Sequence, residues 1–140
     1  MVSLLQTWYN PINLDDKLLA NDIAPWVRKY AVNAVAYSKM TSAAVASRLM
    51  PAGIPVHEVS SAEYQQSCDE FVSAISSARL AHKGQDELDK QVLSAVKLPR
   101  GDGGWVMGRV KSGIVCGAVA SAMVAHFATR AETEVDIQVG

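Results

Sequence analysis

Cysteine is scarce in this chain of 140 residues, which contains only Cys68 and Cys116. The two residues lie far apart in sequence and form no C-x-x-C pair, so the sequence predicts neither a disulfide framework nor a zinc site. We interpret both as small hydrophobic side chains in the core of a protein from a reduced compartment.

Long apolar runs are also missing. A membrane-spanning helix needs about 20 consecutive apolar residues. The nearest candidate, residues 112–128, consists mostly of Gly, Ala and Ser and includes His126. Residues 1–9 lack the positively charged start of a secretory signal. We therefore expect a cytoplasmic protein that makes no membrane contact.

Neither sign of charge dominates, because the formal net charge is −1 and the pI about 6.3. This balance excludes the global basic field typical of nucleic-acid-binding proteins, so any contact with a polyanion must be local. Residues 79–111 carry such a local excess, with seven Lys or Arg against four Asp or Glu. A track for phosphate groups and a solvated helix face explain this excess about equally well.

The apolar content of the chain favours one folded globular domain. The spacing of its apolar residues predicts an α/β layered domain in which helices flank a small parallel sheet. Because two parallel strands make a thin core, we interpret the domain as incomplete. The predicted elements are a helix over residues 14–30, a strand over 31–37, a helix capped by Thr41 or Ser42, a strand over 54–59, helices over 62–81 and 86–96, a loop over 99–104, a strand over 105–110 and a helix from Ser112 to Thr129.

Two of these elements carry further expectations. Residues 31–37 are apolar at both odd and even positions, which is typical of a parallel strand buried on both faces. Pro25 interrupts the first helix, which either restarts with Asp22 as its N-cap or is kinked. We predict a lead-in over residues 1–13, a domain over 14–130 and an acidic tail over 131–140 that frays or pairs loosely as a strand.

A basic corner joins two of the predicted helices. It contains His82, Lys83 and Gly84. Either His82 and Lys83 make a phosphate or acid–base contact at the helix junction, or His82 closes the turn with its ring nitrogens. We interpret His57 and His126 as structural residues.

Carboxylates are missing where metal-dependent hydrolysis of nucleic acids would need them. The end of strand 31–37 has Ser38, and the start of the last helix has Ile114 and Cys116. Asp102, in a Gly-rich loop, remains a candidate for a catalytic metal contact, although an Asp beside glycines is typical of a turn. That loop lacks the phosphate-binding pattern, and Ser38 lacks a G-x-S-x-G context, so neither ATP binding nor serine hydrolysis is predicted.

Three runs within residues 10–128 resemble a known family. They are Ile23-Ala24-Pro25-Trp26-Val27-Arg28-Lys29-Tyr30 with residues 32–37, then Arg79-Leu80-Ala81-His82-Lys83-Gly84 with Leu88 and Gln91-Val92, and finally Gly104-Trp105-Val106 with the small-residue helix over 112–128. In these runs the chain resembles the C-terminal nuclease domain of the large terminase subunit of tailed bacteriophages, especially those that infect actinobacteria. The second run is the most specific.

The resemblance implies an RNase H-like fold and a two-metal nuclease that cuts concatemeric phage DNA during packaging and is joined to an ATPase motor. The family's first metal-binding acid lies on a strand that would precede this chain. The second would follow strand 31–37, where Ser38 stands, and a third would lie near Ile114 and Cys116. We therefore expect a module that is catalytically incompetent alone, with Mg²⁺ or Mn²⁺ bound only if another chain completes the site.

Two functions follow as hypotheses. In the first, a terminase nuclease-like module in the host cell cytoplasm binds DNA or other packaging subunits. Its DNA-binding candidates are Arg79, His82, Lys83, Arg100 and Lys111. In the second, a phage-derived interaction protein without enzymatic activity uses the open sheet edge beside strand 31–37 to bind a second copy or another chain.

Overall fold

Helices and short strands alternate along the chain, which a computed structural model describes for residues 2–10, 12–110 and 113–139. Over these residues there are five α-helices, a short 3₁₀ helix and four strands in two-stranded sheets. The predicted α/β class is therefore confirmed. The helices are α1 (Asp16–Tyr30), α2 (Lys39–Leu49), α3 (Ser61–Ser76), α4 (Asp86–Ser94) and α5 (Cys116–Val139), and the strands are β1 (Val35–Ser38), β2 (Val56–Val59), β3 (Val96–Arg100) and β4 (Gly104–Gly108).

The contacts between residues divide the chain into two units. The N-terminal unit consists of Gln6–Ser60, and the C-terminal unit combines Met1–Leu5 with Ser61–Gly140. The N-terminal unit contains α1, β1, α2 and β2, whereas the C-terminal unit contains α3, α4, α5 and the strands β3 and β4. The first residues of the chain therefore belong to a unit whose other residues follow more than fifty positions later.

Helix α1 runs unbroken past Pro25. The carboxylate of Asp15 caps it by accepting hydrogen bonds from the backbone N–H groups of Lys17 (2.9 Å) and Leu18 (3.1 Å). The predicted restart with Asp22 as N-cap is therefore wrong. Proline removes only one intrahelical donor, and the packing of the helix tolerates that loss. The helix ends at Ala31, which adopts a left-handed conformation with φ of 47°.

Strands β1 and β2 form the predicted parallel pair, with Val35 opposite Val56 and Ser38 opposite Val59. The prediction of a strand over 31–37 that is buried on both faces is wrong, because the backbone of Ala31 ends α1 and β1 is only partly buried. The prediction of Thr41 or Ser42 as the cap of the next helix is also wrong, since α2 already begins at Lys39. The core of this unit consists of Ala20, Leu49 and Ile54, with Ile23, Ala24, Val27, Val35, Val45 and Val56 packed around them.

The core of the C-terminal unit lies between α3, α5 and the antiparallel pair of β3 and β4. Helix α3 supplies Cys68 and Phe71, and α5 supplies Ala118 and Ala122. Both alanines are fully buried, since their small side chains let the helices approach closely. Strand β4 completes the core with Val106 and Met107, and the partly buried neighbours are Tyr64, Leu80, Val92, Ala95, Leu98, Trp105, Val119 and Ala125.

Two boundaries in this unit differ from the prediction. Helix α3 ends at Ser76 and not at residue 81, because Ala78 adopts a left-handed conformation with φ of 54°. Residues 96–100 form β3, where the sequence predicted a helix end and a loop. Pro99 made this strand hard to recognise in the sequence, because proline has no N–H group for strand pairing. Among the described residues β3 pairs only with β4, so it is an edge strand, and an edge strand tolerates such a residue.

Helix α5 is the longest helix of the described chain. It continues to Val139, through most of the tail for which a frayed end or a loose strand was predicted. The predicted cap Ser112 and the predicted DNA contact Lys111 lie outside the described residues. Among the described residues, no helix combines the length and the apolarity that a membrane span requires.

Candidate interaction site at the corner between α3 and α4

The corner between α3 and α4, residues 77–85, begins with a tight helix end. The N–H group of Ser77 donates to the carbonyl of Ser73 (3.0 Å), and that of Arg79 donates to the carbonyl of Ala74 (2.8 Å). The left-handed Ala78 lies between these two donors. This arrangement satisfies carbonyls at the end of α3 and turns the chain away from the helix axis.

The side chain of Arg79 also contributes to this helix end. Its Nε donates to the hydroxyl of Ser77 (2.7 Å), and its Nη2 donates to the hydroxyl of Ser73 (3.1 Å). The guanidinium is therefore held against the end of α3, although the residue is exposed. Removal of Arg79, a predicted DNA contact, would therefore also loosen this helix end.

His82 closes the turn through a ring nitrogen. The backbone N–H group of Gly84 donates to Nδ1 of His82 (3.0 Å). This bond requires Nδ1 to be unprotonated and places the ring proton of the neutral side chain on Nε2. The carboxylate of Asp89 lies 3.7 Å from the same Nδ1. The geometry thus favours the predicted role in which His82 closes the turn with a ring nitrogen. Lys83, which lies between His82 and Gly84, is exposed to solvent.

The corner binds the start of the chain. The N–H group of Val2 donates to the carbonyl of Ala81 (2.8 Å), and Val2 forms a parallel β-bridge with His82. The side-chain amide of Gln85 pairs with both backbone groups of Leu4: Oε1 accepts from its N–H and Nε2 donates to its carbonyl, each at 2.7 Å. Gln85 therefore takes the place of a neighbouring strand.

An apolar groove of about 440 Å³ lies beside this contact. Val2 is buried in it, with 6% of its surface exposed. His82 and Asp89 contribute polar groups to its lining. The apolar residues that line it are Val2, Phe71, Ile75, Ala78, Leu80, Leu88, Val92 and Leu93.

Arg100 and Asp102 lie elsewhere in the C-terminal unit. Both are exposed, and Asp102 occupies the turn between β3 and β4. The end of this turn contacts α3 near its first turns, since Gly104 lies against the side chain of Gln65. The corner follows the other end of α3, at Ser76, and a helix rises by 1.5 Å per residue, so roughly 16 Å of helix separates the two places. The structure therefore does not bring Arg100 and Asp102 together with the corner.

The positions where the family resemblance places metal-binding acids carry no carboxylate. Ser38 ends β1, Cys116 is the first residue of α5, and Ile114 precedes that helix. Within the described residues, no three His, Cys, Asp or Glu side chains are grouped so that they could hold a metal ion, and Asp102 belongs to no such group. Mg²⁺ and Mn²⁺ need several oxygen ligands. These residues therefore do not fit the metal ions that the resemblance implies.

Comparison of the chain with protein-family models, curated proteins and solved structures found no match. Of the predicted contacts, Arg79, His82 and Lys83 share the corner, Arg100 lies apart from them, and Lys111 lies outside the described residues.

A partly buried ionic cluster links α3 and α5. The carboxylate of Glu70 lies 2.7 Å from Nδ1 of His126, and Arg130 donates to the same carboxylate at 3.2 Å. His126 is only 2% exposed, in keeping with its predicted structural role. Burial opposes the charge of Glu70, but the hydrogen bonds from Arg130 and His126 outweigh burial and lower its pKa. Sequence patterns do not reveal this cluster, because Glu70 lies more than fifty positions from His126 and Arg130.

A second glutamine, Gln91, acts at the start of α5. The side-chain carbonyl of the buried Gln91 accepts from the backbone N–H group of Gly117 (2.6 Å). This bond satisfies one of the donors that the first turn of a helix leaves unpaired. A Cβ atom at position 117 would lie 2.8 Å from the Gln91 oxygen, so only glycine admits this contact without displacement.

Proposed function

We propose that this chain is a nuclease-like module of a phage terminase large subunit that acts by contact during DNA packaging and does not hydrolyse DNA on its own. The packing of the resembling runs supports this proposal most. Leu80 and Val92 of the second run pack against the core cluster that contains Val106 of the third run and Ala118 and Ala122 of α5. The second and third runs of the resemblance thus share one core.

An RNase H-like fold is part of this proposal. Its support lies in the N-terminal unit, where the parallel strands β1 and β2 are joined by α2. Helix α1 packs on α2 through the core around Ala20 and Leu49. A parallel pair with a helical crossover is the element that the resemblance leads us to expect.

We expect no hydrolysis because of the side chains that stand at the expected metal-binding positions. Ser38 and Cys116 stand where carboxylates would be needed, and a hydrolytic water needs a metal ion to be activated and aligned. Contact with DNA, in contrast, requires only accessible cations. At the corner Lys83 is the cleanest probe of such a contact, because Arg79 also ties the end of α3.

DNA binding tests the proposal. We expect the chain to bind duplex DNA with an affinity that falls steeply with salt, measured by fluorescence anisotropy over a salt series. Lys83→Ala is expected to weaken binding and to reduce the salt slope by about one. The matched control is Lys90→Ala, since Lys90 is also exposed but pairs with Asp86 at 2.7 Å.

Three results would count against the proposal. They are no binding at low salt, equal effects of Lys83→Ala and Lys90→Ala, or cleavage of plasmid DNA by the chain alone with Mg²⁺ or Mn²⁺ that Asp102→Ala abolishes. The last result would contradict the claim of incompetence and would identify Asp102 as a metal contact.

A second candidate function is the binding of another protein chain without catalysis. The apolar groove favours it, since Leu93 and Ile75 at the groove are 85% and 44% exposed. Self-association through such a surface is expected to respond little to salt, in contrast to DNA binding. Light-scattering masses at low and high salt separate the two candidates.

A further inference from the structure

The segment Val2–Leu5 is held at the corner as a separate piece of chain. It makes three hydrogen bonds there, from Val2 to Ala81 and between Leu4 and Gln85, and buries Val2 in the groove. The described residues between Leu5 and α1 form no helix or strand. The segment is thus bound like a short peptide that happens to belong to the same chain.

The connection that follows the segment is mostly exposed, although the indole N–H group of Trp8 donates to the carboxylate of Asp22 (3.2 Å). Leu5, Tyr9 and Ile12 are 50%, 82% and 94% exposed. Because these side chains are mostly in solvent, a different path of the connection would break few apolar contacts. The bonds at the corner, in contrast, involve backbone groups and one amide, and any copy of the same segment can form them.

We propose that the corner and the groove are an acceptor site for the segment Val2–Leu5, and that two copies of this chain exchange these segments. Exchange of an identical element rebuilds every contact of the closed chain and needs no newly evolved surface. The pair therefore forms reversibly, and its fraction rises with protein concentration. This inference does not depend on DNA binding, and it places self-association at the corner and not at the edge of β1.

A disulfide trap tests the exchange. Val2 and His82 are β-bridge partners and both line the groove. Adjacent strands lie about 5 Å apart, which falls within the Cα separation that a disulfide allows. All variants carry Cys116→Ser, because Cys116 is exposed, while the buried Cys68 is kept.

One variant carries Val2→Cys and His82→Cys in the same chain, and at low concentration it is expected to close a disulfide within the monomer. To detect exchange between two chains, a chain with Val2→Cys is mixed with a chain carrying His82→Cys, and the mixture is oxidised over a series of protein concentrations. The expected result is a mixed disulfide dimer whose yield rises with concentration. Adding Gln85→Ala to the His82→Cys chain is expected to lower that yield, since it removes both bonds to Leu4.

The control mixture pairs the Val2→Cys chain with a chain carrying Lys90→Cys, which is exposed in the same unit. Its yield measures chance collisions. The exchange is overturned if the double variant closes its disulfide but the mixture of Val2→Cys and His82→Cys chains yields no more mixed disulfide than this control at any concentration. Failure of the double variant to close overturns the seating of the segment at the corner, and the proposal with it.

Discussion

The contact between Gln91 and Gly117 at the start of α5 makes a quantitative prediction. Gly117→Ala places a Cβ atom 2.8 Å from the side-chain oxygen of Gln91, so the glutamine must move and its bond to the buried N–H group is lost. Loss of that bond costs about 1–3 kcal/mol. Alanine returns up to about 1 kcal/mol through its better helix propensity. We expect a net loss of about 1–2 kcal/mol in the free energy of unfolding.

The same substitution should change sign when Gln91 is absent. In a Gln91→Ala background no side-chain oxygen obstructs the new methyl group, so only the propensity gain of about 0.5–1 kcal/mol remains. Urea unfolding of the four chains of this cycle measures the difference. Trp105 reports on the C-terminal unit once Trp8→Phe and Trp26→Phe remove the tryptophans of the other unit. Equal destabilisation in both backgrounds would refute the role assigned to Gln91.

Two further predictions concern α3. Glu70→Gln is expected to lower the free energy of unfolding at pH 7 by about 1 kcal/mol, a value kept small because Glu70 is partly exposed. Since the folded pKa of Glu70 is lowered, its contribution is present above the ordinary pKa of 4.5 and disappears as the pH falls through the folded pKa. The urea midpoints of the two chains should therefore differ at pH 7 and converge in acid, and equal midpoints at pH 7 would show that the cluster does not form. Ala78→Gly is expected to stabilise the chain by about 0.5–1 kcal/mol, because glycine adopts the left-handed conformation of this position without strain. Ala74→Gly, inside α3, is the matched control and should destabilise by a similar amount in the same urea assay, and a loss of stability on Ala78→Gly would contradict the helix end described for α3.

The periodic spacing of apolar residues predicted helices and the faces that they bury. The apolar spacing over residues 62–81 identified α3 and its buried face, and the acids at the start of α4 marked that helix. The boundaries that failed depend on local backbone states. Ala31 and Ala78 both end helices in a left-handed conformation that alanine rarely adopts, so nothing in their identity marked those ends.

The contacts at the candidate site could not be predicted for a different reason. Gln85 and Gln91 each use a side-chain amide to complete the backbone bonding of a distant segment, namely Leu4 and Gly117. Such pairing follows no period, and a glutamine on a helix looks like a solvated residue in sequence. The sequence correctly predicted the corner between two helices. Which hydrogen bonds its atoms form, however, depends on the segment that packs beside it.

The chemistry of the corner separates two kinds of partner. Arg79 directs Nε and Nη2 to the hydroxyls of Ser77 and Ser73, and Nδ1 of His82 accepts from the backbone of Gly84, so Lys83 is the cation of the corner that a polyanion reaches without competing with these bonds. A single accessible cation provides an affinity that salt removes readily. The contacts to Val2 and Leu4 use uncharged backbone and amide groups and a buried apolar side chain, none of which salt screens. Binding at the corner that persists at high salt therefore indicates an extended chain segment, whereas binding that salt abolishes indicates DNA.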